Sequence, residues 1–336
     1  MRRWREIAFV IAGVTGFIVL AWRYGFTQFG RAVTHAQPID LAVYACVAVA
    51  VYLGYGLRWL LVSRTLGARS RLGELVSARI AGDGFGSMLP AARMAGDPVR
   101  VVLVTRQGTT GPLASAAVAV DRILELIGDM LCTIGYSAVF LLAPASDSIA
   151  QAVLVLVCVM VALLASLAIP LVMLRRGVRP VSAWYRPDVH APHSRLATWM
   201  TLVRETEDHL IWFFQHHPRV FLGGLAATLL IEALIVVEYY FLLAAFSVPL
   251  EPTMLLVATL MTGLARSVPT TAAVGALEGA QVALFAATSG EPATGFLVAL
   301  VMRLHETVWI AAGMTILLVR GISLAHLSRT TQEATA

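Results

Sequence analysis

Apolar runs long enough to cross a bilayer recur along this chain, at about 7–22, 39–62, 112–142, 149–174, 218–247 and 294–319. Each predicts a membrane-spanning helix. Two further apolar stretches, 74–108 and 253–289, are broken in the middle: Gly82, Gly84, Gly86 and Pro90 interrupt the first, and Gly263, Pro269 and Gly275 the second. Glycine and proline disfavour helix interiors, so each stretch predicts two short helices that enter the membrane and return to the side they came from. The expected fold class is an all-α polytopic membrane protein, with about six full transmembrane helices plus two broken re-entrant hairpins.

Composition agrees with this reading. The 336 residues are 58% hydrophobic and 13% charged, about half the charge fraction of a soluble domain. All 25 basic residues are arginine, and the chain contains no lysine or asparagine. If both broken stretches return to their side of entry, eighteen arginines share one side with the two termini, and only Arg23 and Arg31 lie opposite. The positive-inside rule then makes both termini cytoplasmic. The net charge of +5 belongs to these flanking arginines, so nucleic acid is not an expected partner. Cys46, Cys132 and Cys158 lie in apolar sequence and read as small core residues rather than a disulfide or metal framework.

The first run, 7–22, follows Met-Arg-Arg-Trp-Arg and reads as a retained anchor rather than a cleaved signal. The longer polar segment, 175–217, carries Leu196, Trp199, Val203, Leu210 and Phe213 at near-heptad spacing, which predicts an amphipathic helix on the inner membrane surface leading into 218–247. Segment 39–142 enters from outside and ends outside, whereas 218–320 begins and ends inside. These opposite topologies within one integral membrane domain, 1–336, are those of an inverted repeat.

The polar residues carry the same pattern twice. Pro90 and Gly96 precede Arg122 and Glu125; Pro269 and Gly275 precede Arg303 and Glu306, with the proline–glycine spacing identical and the copies 179 to 181 residues apart. Arg-x-x-Glu by itself means little, since it also occurs at Arg3–Glu6, Arg71–Glu74 and Arg204–Glu207. Placement in apolar runs behind a shared Pro-x5-Gly is what distinguishes the other two. By helical rise Arg122 lies about 15 Å deep and Arg303 about 14 Å from the opposite face. A central arginine costs about 2.5–3.5 kcal/mol on insertion scales unless it is paired or hydrated. Guanidinium offers phosphate two parallel hydrogen bonds. Arg122 and Arg303 are therefore the expected lipid-phosphate ligands, with Glu125 and Glu306 orienting them or meeting a cationic headgroup; the competing reading is a structural ion-pair network.

Other candidates surround these pairs. Asp121, Glu125 and Asp129 fall on one helix face. Asp97 reads as a helix N-cap before Pro98 and, with Arg93 and Arg100, as an anion site at the cytoplasmic mouth. Glu278 occupies the matching neighbourhood of the second copy. Asp83, Glu232, Glu238 and Arg266 also lie in apolar sequence; Glu232 and Glu238 fall on different faces of one helix, and Arg58 is expected to snorkel to the inner surface. His305, between Arg303 and Glu306, is a candidate proton relay. No metal or cofactor is expected, His190 and His193 included, and no catalytic motif is visible.

The run Met88-Leu89-Pro90, Ala95-Gly96-Asp97, Arg100 and Val120-Asp121-Arg122-Ile123-Leu124-Glu125 resembles a flippase-like family of membrane proteins. So does Ser267-Val268-Pro269, Val274-Gly275-Ala276-Leu277-Glu278-Gly279 with Arg303. That family includes the transmembrane region of lysylphosphatidylglycerol synthase and the related family UPF0104; a hopanoid-associated branch has the same look. The resemblance spans about residues 40–320 and implies movement of anionic or aminoacylated lipids between leaflets of the bacterial plasma membrane. About 17 residues follow the last helix, so the soluble aminoacyl-transferring domain is expected to be absent and a separate lipid-synthesis enzyme becomes the expected partner. Glu125 stands where the family usually has aspartate, and Ala276 where a second glycine is common. Two other classes remain open: a membrane enzyme modifying a lipid or polyprenyl headgroup, which the short outer loops 143–148, 248–252 and 290–293 disfavour, and a small-anion transporter.

Overall fold

The computed structural model describes residues 36–89, 94–141, 147–184, 195–248, 251–268, 273–288 and 291–321. The predicted anchor at 7–22, Pro90, Arg93, His190, His193 and Pro269 lie outside these residues. The described residues are predominantly helical, with no strand among them. In chain order the helices are α1 (Pro38–Thr65), α2 (Leu72–Ser87), α3 (Asp97–Thr105), α4 (Gly111–Leu141), α5 (Asp147–Arg175), α6 (Arg195–His216), α7 (Pro218–Ala245), α8 (Pro252–Ser267), α9 (Ala276–Thr288) and α10 (Pro292–Val319). Five of them, α1, α4, α5, α7 and α10, are long and apolar enough to cross a membrane. The chain is an all-α polytopic membrane protein.

Local chemistry sets the boundaries. Proline opens α1, α7, α8 and α10, where its missing N–H leaves no helical bond unmade. Glycines in the left-handed region close α1 and α5, at Gly67 and Gly177 with φ of 94° and 77°. In each case a following amide reaches back to an orphan carbonyl, Ala68 N to Ser63 O at 2.9 Å and Val178 N to Met173 O at 2.9 Å. The two broken stretches yield the short helices. At 16 residues for α2 and α8, 13 for α9 and 9 for α3, they measure about 24, 24, 20 and 14 Å, too short to span about 30 Å of hydrocarbon.

The chain falls into two compact units: Met1–Tyr52, Ser77–Arg100 and Leu234–Ala336 form one, and Leu53–Val76 and Val101–Ala233 the other. In the first, a core of Tyr239, Leu242, Leu277, Phe285, Val298 and Met302 packs α9 against α10 and α7. Glycines let its helices meet closely. A Cβ on Gly295 would lie 2.4 Å from Gln281 O, one on Gly313 2.6 Å from Ile80 O, and one on Gly96 2.1 Å from Gly82 O. Gln281 adds a buried polar tie, accepting from the Tyr239 hydroxyl at 2.6 Å and donating to Thr262 Oγ1 at 2.8 Å.

In the second unit α4 packs against α5 and α6. Gly128 and Gly224 of α4 and α7 face Thr228 and Leu124, where an added Cβ would come within 2.3 and 2.6 Å. The predicted amphipathic helix forms as α6, but its apolar stripe divides: Leu210 and Phe213 are buried, while Leu196 and Trp199 are exposed. Glu207 of α6 is buried too and holds the segment after α5, accepting from Val181 N at 2.7 Å, Ser182 N at 3.1 Å and the Ser182 hydroxyl. Two expectations are corrected here. Cys46 and Cys158 are exposed on membrane-suited helices rather than core residues, because lipid and protein interior impose the same hydropathy. Arg58 does not snorkel; it is 1% exposed, because carboxylates inside the unit draw it inward.

Candidate functional site

Two charged networks lie inside the apolar helices, one in each unit. In the second unit, Arg58 of α1 donates from Nε to Asp121 Oδ1 at 2.8 Å and from Nη1 to Thr228 Oγ1 of α7 at 3.0 Å. Its Nη2 lies 3.8 Å from Glu125 Oε2. Arg122 approaches the same Glu125 oxygen at 3.2 Å. Further along the face, Glu232 of α7 lies beside Asp129. Asp121, Glu125 and Asp129 thus form the ladder their four-residue spacing predicts, and its partners come from α1 and α7 as well as from Arg122. One Glu125 oxygen thus lies within ion-pair distance of two arginines.

In the first unit Arg303 holds the turn between α8 and α9. Its Nε donates to Glu278 Oε1 at 2.6 Å, its Nη2 to Glu278 Oε2 at 3.1 Å and to Ala273 O at 2.7 Å, and its Nη1 to Glu306 Oε2 at 2.6 Å. Glu278 also accepts from Gly275 N at 2.8 Å, capping the first turn of α9. The turn needs left-handed backbone at Ala273 (φ 52°) and Gly275 (φ 83°). Ala276 begins α9, where helical backbone requires no glycine.

The two networks share a layout. Arg58, Asp121 and Glu278 have fully buried side chains, whereas Arg122 and Glu125 keep 14% and 12% exposure and Arg303 and Glu306 keep 15% and 10%. In each network the repeated Arg-x-x-Glu pair is an accessible edge beside sealed partners, Arg58 and Asp121 in one and Glu278 in the other; Asp129, farther along α4, is itself exposed. Such an edge offers a guanidinium and a carboxylate to a visiting zwitterion or anion while the buried members hold it in position.

The remaining candidates take other places. Arg100 is fully buried; its stem lies against Gly82 and its Nη1 bonds Asp97 Oδ1 at 3.2 Å, so both point into the first unit. Arg79 and Asp83 pair within α2 at 2.8 Å. Glu238, on the far face of α7 from Glu232, lies 3.2 Å from His305 Nδ1, and the Tyr44 hydroxyl lies 2.6 Å from the same nitrogen. Trp309 Nε1 donates to His305 Nε2. Indole is a donor only, so Nε2 accepts and the ring proton of the neutral imidazole sits on Nδ1. Among the described residues no His, Cys, Asp and Glu group is arranged to hold a metal ion.

Sequence reading placed Arg58 at the inner surface instead of in the network, and left out Thr228. The signal for Arg58 was charge balance: three acids on one face of α4 exceed what Arg122 alone can neutralise. Thr228 gave no signal, since threonine is common in apolar helices. No curated protein and no solved structure matches this chain. The family described as the lysylphosphatidylglycerol synthase TM region matches residues 6–313, and it contains both networks. Matched over that length, the chain belongs to the lysylphosphatidylglycerol synthase transmembrane-region family.

Proposed function

We propose that this protein moves a phospholipid, anionic or aminoacylated, between leaflets of the bacterial plasma membrane, with both termini cytoplasmic and a separate enzyme supplying the lipid. The observation that carries the reading is the pair of accessible Arg-x-x-Glu edges inside apolar helices: Arg122–Glu125, backed by the sealed Arg58–Asp121 pair, and Arg303–Glu306, backed by the sealed Glu278 carboxylate. Charged groups are retained in membranes where they serve a pathway. A guanidinium beside a carboxylate matches a headgroup bearing a phosphate and an amine. Family membership supports lipid handling as the class of activity.

The test is leaflet exchange of headgroup-labelled phosphatidylglycerol and its lysyl ester in liposomes holding the purified chain. Wild type should exchange at least one of them, and the Arg122→Gln, Arg303→Gln double variant should be inactive while still inserted and folded. Full exchange by the double variant would overturn the assignment of these pairs.

A further inference from the structure

The arginines that the described helices bury wholly or in part are matched to carboxylates with one exception. Arg58, Arg79, Arg100, Arg122 and Arg303 each have an acidic oxygen within 3.2 Å. Arg266 has no ion pair or hydrogen bond among the described residues, and its Nε is buried. It sits in the last turn of α8, fourteen residues and about 21 Å from the start of that helix. It lies within electrostatic reach of the Tyr44 hydroxyl, which is itself in the Tyr44–His305–Glu238 cluster of the same unit. A cation in a last turn suits the helix dipole, yet that diffuse attraction leaves a buried guanidinium N–H without an acceptor, and such groups are costly.

We propose that Arg266 is a receptor for the phosphate of an anionic membrane lipid. The inference rests on the translocation reading for its substrate class, and adds a ligand distinct from the two repeated pairs. Phosphate fits because its oxygens can accept two parallel bonds from the guanidinium fork. Arg303 already directs its fork at two carboxylates and a carbonyl, whereas Arg266 makes no such bonds among the described residues.

The experiment titrates the full chain in detergent with phosphatidylglycerol, with diacylglycerol of the same acyl chains, and with inorganic phosphate, read by native mass spectrometry. Arg266→Gln should weaken phosphatidylglycerol binding about tenfold or more, leave diacylglycerol binding unchanged, and recover in part in Arg266→Lys. Unchanged phosphatidylglycerol affinity in Arg266→Gln overturns the proposal, as does equal loss for both lipids. If Arg266→Gln does not fold, Arg266→Lys decides: it should bind several-fold more weakly at an unchanged melting temperature, and equal affinity overturns the assignment. Displacement of the lipid by inorganic phosphate would mean that phosphate alone satisfies Arg266, and resistance would mean that the acyl chains are needed too; in both cases the receptor assignment stands. Leaflet exchange is measured on the same proteins. Binding without exchange in wild type would sink translocation and spare the receptor, while exchange with Arg266-independent binding would do the reverse.

Discussion

Arg58 joins three helices through a single guanidinium, with Asp121 on α4, Thr228 on α7 and its own backbone on α1. Removing one partner of such a sealed pair leaves the other charge unanswered, which costs about 3–5 kcal/mol. Asp121→Asn should therefore lower stability by that amount in micelles, and pairing it with Arg58→Met should recover most of the loss. An Asp121→Asn protein that melts with wild type would mean the pair is unimportant to the fold. At this scale the sequence was informative about the carboxylates and misleading about their arginine. Arg58 lies close enough to the end of an apolar run to reach water, and only the positions of α4 and α7 turn it inward. His305 was legible as a residue of interest, and Trp309 lies one turn along the same helix, but its partners Tyr44 and Glu238 come from α1 and α7 and leave no local trace.

The two broken stretches show how one sequence sign can serve two physical needs. Gly96 and Gly275 follow their prolines at the same distance. Gly275 is required for its left-handed backbone, whereas Gly96 is required for space, lying against the backbone of Gly82. Their helices were readable because glycine and proline break a hydropathy run; the reason for each glycine was not, because it depends on what the chain meets after folding. Gly96→Ala would press a Cβ against backbone that cannot rotate away, and should destabilise by about 1–3 kcal/mol. Gly263→Ala, inside α8 with nothing within 4 Å of the added carbon, should stabilise by up to about 1 kcal/mol through helix propensity. Thermal unfolding of both variants checks the contrast; similar gains would show that chain entropy rather than space decides both sites.

For the whole molecule, the spans were legible because about twenty apolar residues in a row have few other uses. The grouping of helix segments into two compact units was not, because it depends on which faces are paired, and a lipid-facing stripe reads like a protein-facing one. The exposed Cys46 and Cys158 illustrate the point. The proposed orientation rests on a whole-chain property, the arginines that the positive-inside rule would gather on the cytoplasmic side. In a cysteine-free background, Val178→Cys, after α5, should react with an impermeant maleimide only from the cytoplasm, and Glu291→Cys, before α10, only from outside. The reverse pattern would invert the orientation.

The turn held by Arg303 stores energy as well as shape. Ala273 is kept at φ 52°, a conformation that disfavours a residue with a Cβ by about 1–2 kcal/mol, and its carbonyl is one of the oxygens Arg303 grips. An anion that drew the guanidinium away would remove the grip and the reason for the strained backbone together. A ligand competing for Arg303 would therefore be helped by the relaxation of Ala273 that it triggers.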